Sequence, residues 1–261
     1  MSRGGYYAWH NRPVSAHKVK DNQLKAELIK QHQGFKRAYG APRMHVQINR
    51  EGLSCSRRRI TRLMKELNLC SSTKNLYLRL PNRGKHYSTT SNHLHYVAKP
   101  SAKNQQWVGD FTHISTQKGW LFHAVVMDLF TRKLIGWSFS RQRNSLMTQA
   151  ALKAALATET PDNNCIFHSD QGIEYAANDF KTLVEKSGFI RSMSRKATPI
   201  DNAAMESYFH TFKAEAIHGK RFNNQEEATA VIQKYIAFYN QERLHSSLGY
   251  TTPEKYEKLG L

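Results

Sequence analysis

Three acidic residues in this chain of 261 carry neighbours that suit chemistry on phosphodiester bonds. Asp110 stands in Trp107-x-x-Asp110-Phe111-Thr112, and Asp170 in His168-Ser169-Asp170-Gln171-Gly172-x-x-Tyr175. Glu206 stands in Pro199-x-Asp201-Asn202-Ala203-x-x-Glu206-Ser207-x-Phe209. Cutting and rejoining such bonds without a covalent enzyme intermediate asks for two Mg²⁺ ions about 3.5–4 Å apart. These ions prefer hard oxygen ligands and keep several waters, so three carboxylates are about the right number. The interval of 35 residues between Asp170 and Glu206 says little alone, because the chain has 20 acids from which to draw a pair. Their neighbours carry the specificity. Lys213, seven residues past Glu206, falls two helical turns on and nearly on the same face. Blander readings exist for each: Asp110 as a strand-edge charge, Asp170 as a turn former beside Gly172, Glu206 and Lys213 as decoration of a solvated helix. His168 reads as a packed or hydrogen-bonded neighbour, Asp128 as the end of a strand, and Glu174 as a second choice to the three acids.

The elements that must position these residues begin near Gln106. Trp107 to Ile114, Trp120 to Leu129 and Lys133 to Ser140 read as three strands joined by short polar turns. An Ala/Leu-rich helix from Asn144 to Ala157 follows. Cys165 to His168 is a short buried strand running into the Asp170 turn, and Tyr175 to Lys186 is helical. A strand near Phe189 to Met193, a polar loop through Pro199, and helices over Asp201–Ala216 and Gln225–Asn240 complete the series. A three-strand meander followed by helix, strand, helix, strand and helices is the order of a ribonuclease H-like α/β domain, here 103–261. Strand ends and the turns beside them are where α/β sheets place ligands, which suits Asp110 and Asp170.

The front of the chain differs in charge. Residues 1–99 carry a net +16 of the total +19, and residues 100–261 only +3. That asymmetry favours a polyanion-binding module joined to a nearly neutral domain. After a basic lead-in over 1–20, whose Tyr6, Tyr7 and Trp9 are expected to pack on a surface the sequence does not identify, residues 21–70 are helical. Leu24, Leu28 and Ile29 mark one helix. Pro42 opens a short second helix with Met44, Val46 and Ile48, which Gly52 ends. Ser54 or Ser56 caps a third, with Ile60, Leu63, Met64 and Leu67 inward and Arg57, Arg58, Arg59, Arg62 and Lys65 on the same helix. Two short helices around a turn, the second opening with arginines, have the layout of a helix-turn-helix reader, and Arg57, Arg58, Arg59 and Arg62 are the candidate DNA contacts. Residues 71–102, polar apart from Leu76, Leu78 and Leu80, read as a linker.

The three cysteines, Cys55, Cys70 and Cys165, form no C-x-x-C pair and read as ordinary reduced thiols. Nothing near Met1 resembles a signal peptide, and the apolar run from Trp120 to Phe130 is too short to span a bilayer. The expectation is a cytoplasmic, nucleoid-associated protein without a membrane partner.

Taken together, the motifs resemble those of insertion-sequence transposases of the IS3 group, second-frame product, relatives of retroviral integrases. The likeness runs from Ser2-Arg3-Gly4-Gly5-Tyr6-Tyr7 to Tyr239-Asn240-x-x-Arg243-x-His245-x-x-Leu248-Gly249-Tyr250-x-Thr252-Pro253. It implies the ribonuclease H-like fold, catalysis by Asp110, Asp170 and Glu206 as metal ligands, and Mg²⁺ (or Mn²⁺) as cofactor. It also implies double-stranded DNA as substrate, at transposon ends and target, acted on by a homo-multimer, with Lys213 on the transposon-end backbone. Two departures accompany it. Integrases carry a His-His-Cys-Cys zinc module; Cys55 and Cys70 are 15 apart with no close pair, so no zinc is expected. IS3-type enzymes also arise by frameshifting onto an upstream helix-turn-helix and leucine zipper; no sustained heptad occurs in this chain, so an upstream-frame fusion or partner is expected. The competing readings are a DNA-binding regulator with a silent site and a nuclease for RNA–DNA hybrids.

Overall fold

The structure is a computed structural model that describes residues 2–13, 15–72, 92, 94, 97–194 and 202–260. Leu76, Leu78 and Leu80 of the expected linker, and the loop through Pro199 with Asp201, lie outside the described residues. The chain divides into two compact units, residues 1–77 and 78–261.

The first unit is all-helical. Helix α1 (Arg3–His10) starts at Ser2, whose hydroxyl accepts the Gly5 N–H, and it buries no residue. Among the described residues, its Tyr6, Tyr7 and Trp9 pack mainly on one another. Each is about half-exposed or more, and Tyr6 meets Tyr7 and Trp9 at 5.6 and 6.2 Å between ring centroids. Helix α2 (Ala16–Gly34) begins five residues before the expected Asp21, because Ser15 caps it through the Lys18 N–H. Helices α3 (Ala41–Arg50) and α4 (Arg57–Glu66) follow, Pro42 lying in the first turn of α3 and Ser56, not Ser54, capping α4. A cap of this kind stabilises a helix by about 1 kcal/mol. Leu24 and Leu28 of α2, Tyr39, Met44 and Ile48 of α3, and Ile60 and Leu63 of α4 form the core. The turn between α3 and α4 is held from α3: the Asn49 side-chain oxygen accepts the Cys55 N–H at 3.0 Å, and His45 Nε2 lies 3.0 Å from the Cys55 carbonyl oxygen. Gly52 in this turn has φ +83°, a left-handed conformation natural to glycine.

The second unit carries one five-stranded sheet in the order β3-β2-β1-β4-β5. β1 (Gln106–Thr116), β2 (Gly119–Asp128) and β3 (Leu134–Ser140) form an antiparallel meander. β4 (Ile166–Ser169) then joins β1 in parallel and β5 (Ile190–Met193) joins β4. This is the ribonuclease H-like arrangement that the element order requires. Helix α5 (Ser145–Leu156) and helices α6 (Ile173–Ala176) and α7 (Asn178–Lys186) cover one face, where Trp107, Ala124, Phe167, Ala151, Leu152, Ala155 and Phe180 pack together. Helix α8 (Ala203–Phe212) and helix α9 (Gln225–Gln241) lie against β1 and β2, burying Met205, Phe212, Ile232 and Ile236. Between them the chain makes a π-helical turn, Lys213–Ile217, and a last helix α10 (Pro253–Leu259) begins at Pro253. No helix among the described residues is long and apolar enough to cross a membrane.

Candidate active site

Asp110 lies in the middle of β1, and Asp170 is the first residue after β4. Gly109 and Ser169 are register partners across these parallel strands, so each aspartate is the next residue along its own strand line. Parallel neighbours lie roughly 4.8 Å apart, which brings the two positions side by side. The local sequence makes room for this. A Cβ on Gly109 would stand 2.6 Å from Cζ of Phe167, so only glycine lets that ring fit under β1 beside Asp110. After β4, the Asp170 carboxylate accepts the Gly172 N–H at 3.0 Å, turning the chain at once into α6. A Cβ on Gly172 would come within 2.9 Å of the same carboxylate oxygen.

Asp110 accepts the N–H of Phe111 at 2.7 Å. Burial raises its pKa well above the ordinary carboxylate value, and the charges of Asp170 and then Glu206 push the same way. The Phe111 N–H and the Lys213 ammonium oppose this. Three of the residues singled out from the sequence, Asp170, Glu206 and Lys213, therefore act electrostatically on the fourth, Asp110. Glu206 sits on an exposed position in the first turn of α8, and Lys213 is exposed where α8 gives way to the π-turn. Because residues 206 to 212 are regular α-helix, the two-turn spacing keeps Lys213 on the Glu206 side. Although its side chain is open to solvent, the protein around its ammonium partly desolvates Lys213 and lowers its pKa, with Asp110 pulling it upward. Among the described residues no three His, Cys, Asp or Glu side chains are drawn closely enough together to hold a metal ion as they stand. Asp110 and Asp170 lie side by side by strand register, and Glu206 acts on Asp110 through its charge.

The neighbours take structural parts. His168 is fully buried and lies between two serines, with Nδ1 2.8 Å from Ser192 Oγ and Nε2 3.0 Å from Ser194 Oγ, tying β4 to the β5 segment. Asp128 accepts the Asn104 and Thr131 N–H groups, both at 2.8 Å, and closes the turn after β2. Glu174 is buried and forms an ion pair with Arg143, whose guanidinium carbon stands 5.1 Å from the centre of the Phe111 ring. Arg143 thus links the Asp170 turn to β1 just past Asp110. Glu174 reads from the sequence as second choice to the three acids, and nothing local marks Arg143, because the pair spans 31 positions.

In the first unit the four arginines separate into two kinds. Arg59 and Arg62 both reach Asp21 on α2 at 2.7 Å, and Arg62 also binds Glu66 at 2.6 Å. Arg57 and Arg58 are exposed at the start of α4 and make no ion pair among the described residues. Cations there oppose the helix macrodipole, so their position is not explained by helix stability.

The chain matches the family model of the Integrase core domain over residues 100–199, a second Integrase core domain model over 188–253, and an HTH-like domain over 19–76. It is 37% identical to the Insertion element IS600 uncharacterized 31 kDa protein of Shigella sonnei, covering 99% of this chain and 97% of that one. It is 31% identical to Transposase InsF for insertion sequence IS3A of Escherichia coli K12, over 100% of this chain and 92% of the relative. Among solved structures, a chain of the simian T-cell lymphotropic virus intasome aligns at a TM-score of 0.49 and 13% identity, covering 84% of this chain and 74% of that one. Integrase core and HTH-like domain, in one chain matched end to end by these relatives, identify it as a member of the IS3-family transposases, a DNA strand transferase of the acidic-triad type.

Proposed function

We propose that Asp110, Asp170 and Glu206 are the catalytic carboxylates of this transposase, holding divalent cations, Mg²⁺ or Mn²⁺, while it cuts transposon ends and joins the 3′-hydroxyl to another strand. The observation that carries the reading is the β1–β4 register, which sets Asp110 and Asp170 side by side, with the charge of Glu206 adding to that of Asp170 in raising the proton affinity of Asp110. Such a cluster is costly in isolation and is relieved by hard cations, for which carboxylate oxygens are the suitable donors. Bound there, a pair of cations would activate the attacking hydroxyl and steady the leaving oxygen. Asp110 and Asp170 supply the rigid part of the donor set from neighbouring strand lines. Glu206, exposed on the first turn of α8, completes it by a side-chain movement. Lys213 holds a phosphate near the reacting 3′ end, as a point charge keeping the strand in line. Arg57 and Arg58 grip the DNA backbone from α4, with Arg59 and Arg62 contributing once released from Asp21. Working on two ends in one event calls for more than one copy on the DNA, and an upstream-frame fusion or partner would add end recognition. A nucleoid location follows from such binding.

The test is replacement of Asp110 or Asp170 by Asn, or of Glu206 by Gln, which removes charge and barely alters shape. Strand transfer should fall below a tenth of wild type with DNA binding largely kept. Any single variant retaining more than a tenth removes that residue from the site.

A further inference from the structure

The carboxy-terminal signature Tyr239-Asn240-x-x-Arg243 has no part in the site as described, yet its Arg243 reaches the turn that carries Lys213. Asn240, near the end of α9, binds β3 with both ends of its amide: its oxygen accepts the Leu134 N–H at 3.0 Å and its Nδ2 donates to the Leu134 carbonyl at 2.9 Å. Arg243, just beyond α9, donates its backbone N–H to the Phe238 carbonyl at 2.8 Å. Its guanidinium reaches into the π-turn and grips Glu215 with two parallel bonds, Nε to Oε2 and Nη2 to Oε1, each 2.9 Å. The Tyr235 hydroxyl gives Glu215 a third bond at 2.9 Å. Both partners of the pair are buried, the side chains of Arg243 and Glu215 being only 5% and 2% exposed. Two residues before Glu215, the same turn opens with Lys213, whose carbonyl accepts the His218 N–H at 2.7 Å across the wider π-helical ring.

A buried ion pair is a poor device for stability, since apolar side chains of similar volume generally do as well. A two-pronged guanidinium–carboxylate bond is a good device for fixing direction. π-turns are rare, and they occur disproportionately at functional sites. We propose that Arg243 is a positioning residue: through Glu215 it locks the π-turn so that Lys213 is held on the Asp110 side of α8. The inference rests on the reading of Lys213 as a phosphate contact. It gives the tail signature a task in the reaction, in addition to packing α9 on the sheet.

The experiment uses the full chain and a blunt DNA duplex copied from the end of the element that carries the gene, with affinity measured across a salt series. Loss of one phosphate contact lowers the slope of log affinity against log salt by about 0.9. Lys213→Ala should show that loss. The double variant Glu215→Met with Arg243→Met, which replaces the pair without leaving a lone buried charge, should show the same loss. Adding Lys213→Ala to it should then cost nothing more, because coupled residues are non-additive. A wild-type slope in the double variant, or a further full loss on adding Lys213→Ala, overturns the clamp while leaving the phosphate reading intact. A wild-type slope in Lys213→Ala alone overturns the phosphate reading and the clamp with it. Should the double variant fail to fold, Arg243→Lys decides, since it keeps the charge and loses the fork. A lowered slope at unchanged melting temperature supports the clamp, and a wild-type slope overturns it.

Discussion

Two clusters of charge on the same side of the sheet follow opposite logic. Around Glu215 every charge is answered: a carboxylate takes three hydrogen bonds, two of them from a guanidinium aligned to it. Around Asp110 carboxylates face carboxylates, and the sheet holds two of them side by side on β1 and β4. The first arrangement is complete within the chain. The second brings like charges together, with Lys213 acting on Asp110 and Arg143 on Asp170, and on the proposed function divalent cations would offset that repulsion before a DNA phosphate approaches.

The sharpest way to break that contrast is to open the closed cluster. Arg243→Ala strands Glu215 in the interior, and breaking a buried pair from one side costs about 3–5 kcal/mol. Chemical denaturation should show a loss of that size, and a loss under 1 kcal/mol would mean that Glu215 finds another partner or water. Next comes the open cluster, where the sign should reverse. Asp110→Asn should abolish strand transfer yet raise the melting temperature of the metal-free protein at neutral pH. The folded-state pKa of Asp110 is raised, so its contribution to stability is fully present below the ordinary carboxylate range and is lost as pH rises through the raised value. Melting curves in chelator should thus fall with rising pH more steeply for wild type than for the variant. A variant that melts lower at every pH would make Asp110 a scaffold residue.

The smallest effect is expected in the first unit, where Asp21 sits between the two extremes. Its pKa is lowered to about 2, first by the Arg62 hydrogen bond, with Arg59 adding to it. Asp21→Asn should lower the melting temperature modestly at neutral pH, and the difference should vanish as pH falls from about 4 through about 2, where wild type loses the same interaction. The variant also frees Arg59 and Arg62, so its DNA binding should become more salt-dependent. An unchanged salt slope would leave Arg57 and Arg58 as the arginines of α4 that face DNA.

Much of the site was legible because it depends on short-range patterns. A β-strand rhythm through Asp110, a buried strand stopping just before Asp170 and a helical run through Glu206 each show within ten residues or so, as does a serine cap before α4, at Ser54 or Ser56. What stayed hidden is long in sequence. The pairs Asp21–Arg59, Arg143–Glu174 and Glu215–Arg243 join residues 38, 31 and 28 apart, and no periodicity announces them. Nothing in the sequence near Arg59 and Arg62 announces Asp21, their partner on another helix. Helix α1 escaped notice for a different reason. It buries nothing, so the apolar stripe that normally betrays a helix has no cause to exist. The π-turn is invisible in the sequence too, for Lys213-Ala214-Glu215-Ala216 reads as ordinary helix.

That turn also sets which insertions and deletions the chain can tolerate. From Glu206 to Lys213 the backbone is an α-helix, so one residue gained or lost swings the lysine by about 100° and carries it off the Asp110 side. Past Lys213 the count is freer, because the π-turn has already released the helical phase and the chain leaves it through Gly219 toward α9. Length variation among close relatives should therefore be forbidden between Glu206 and Lys213 and permitted between His218 and Asn224.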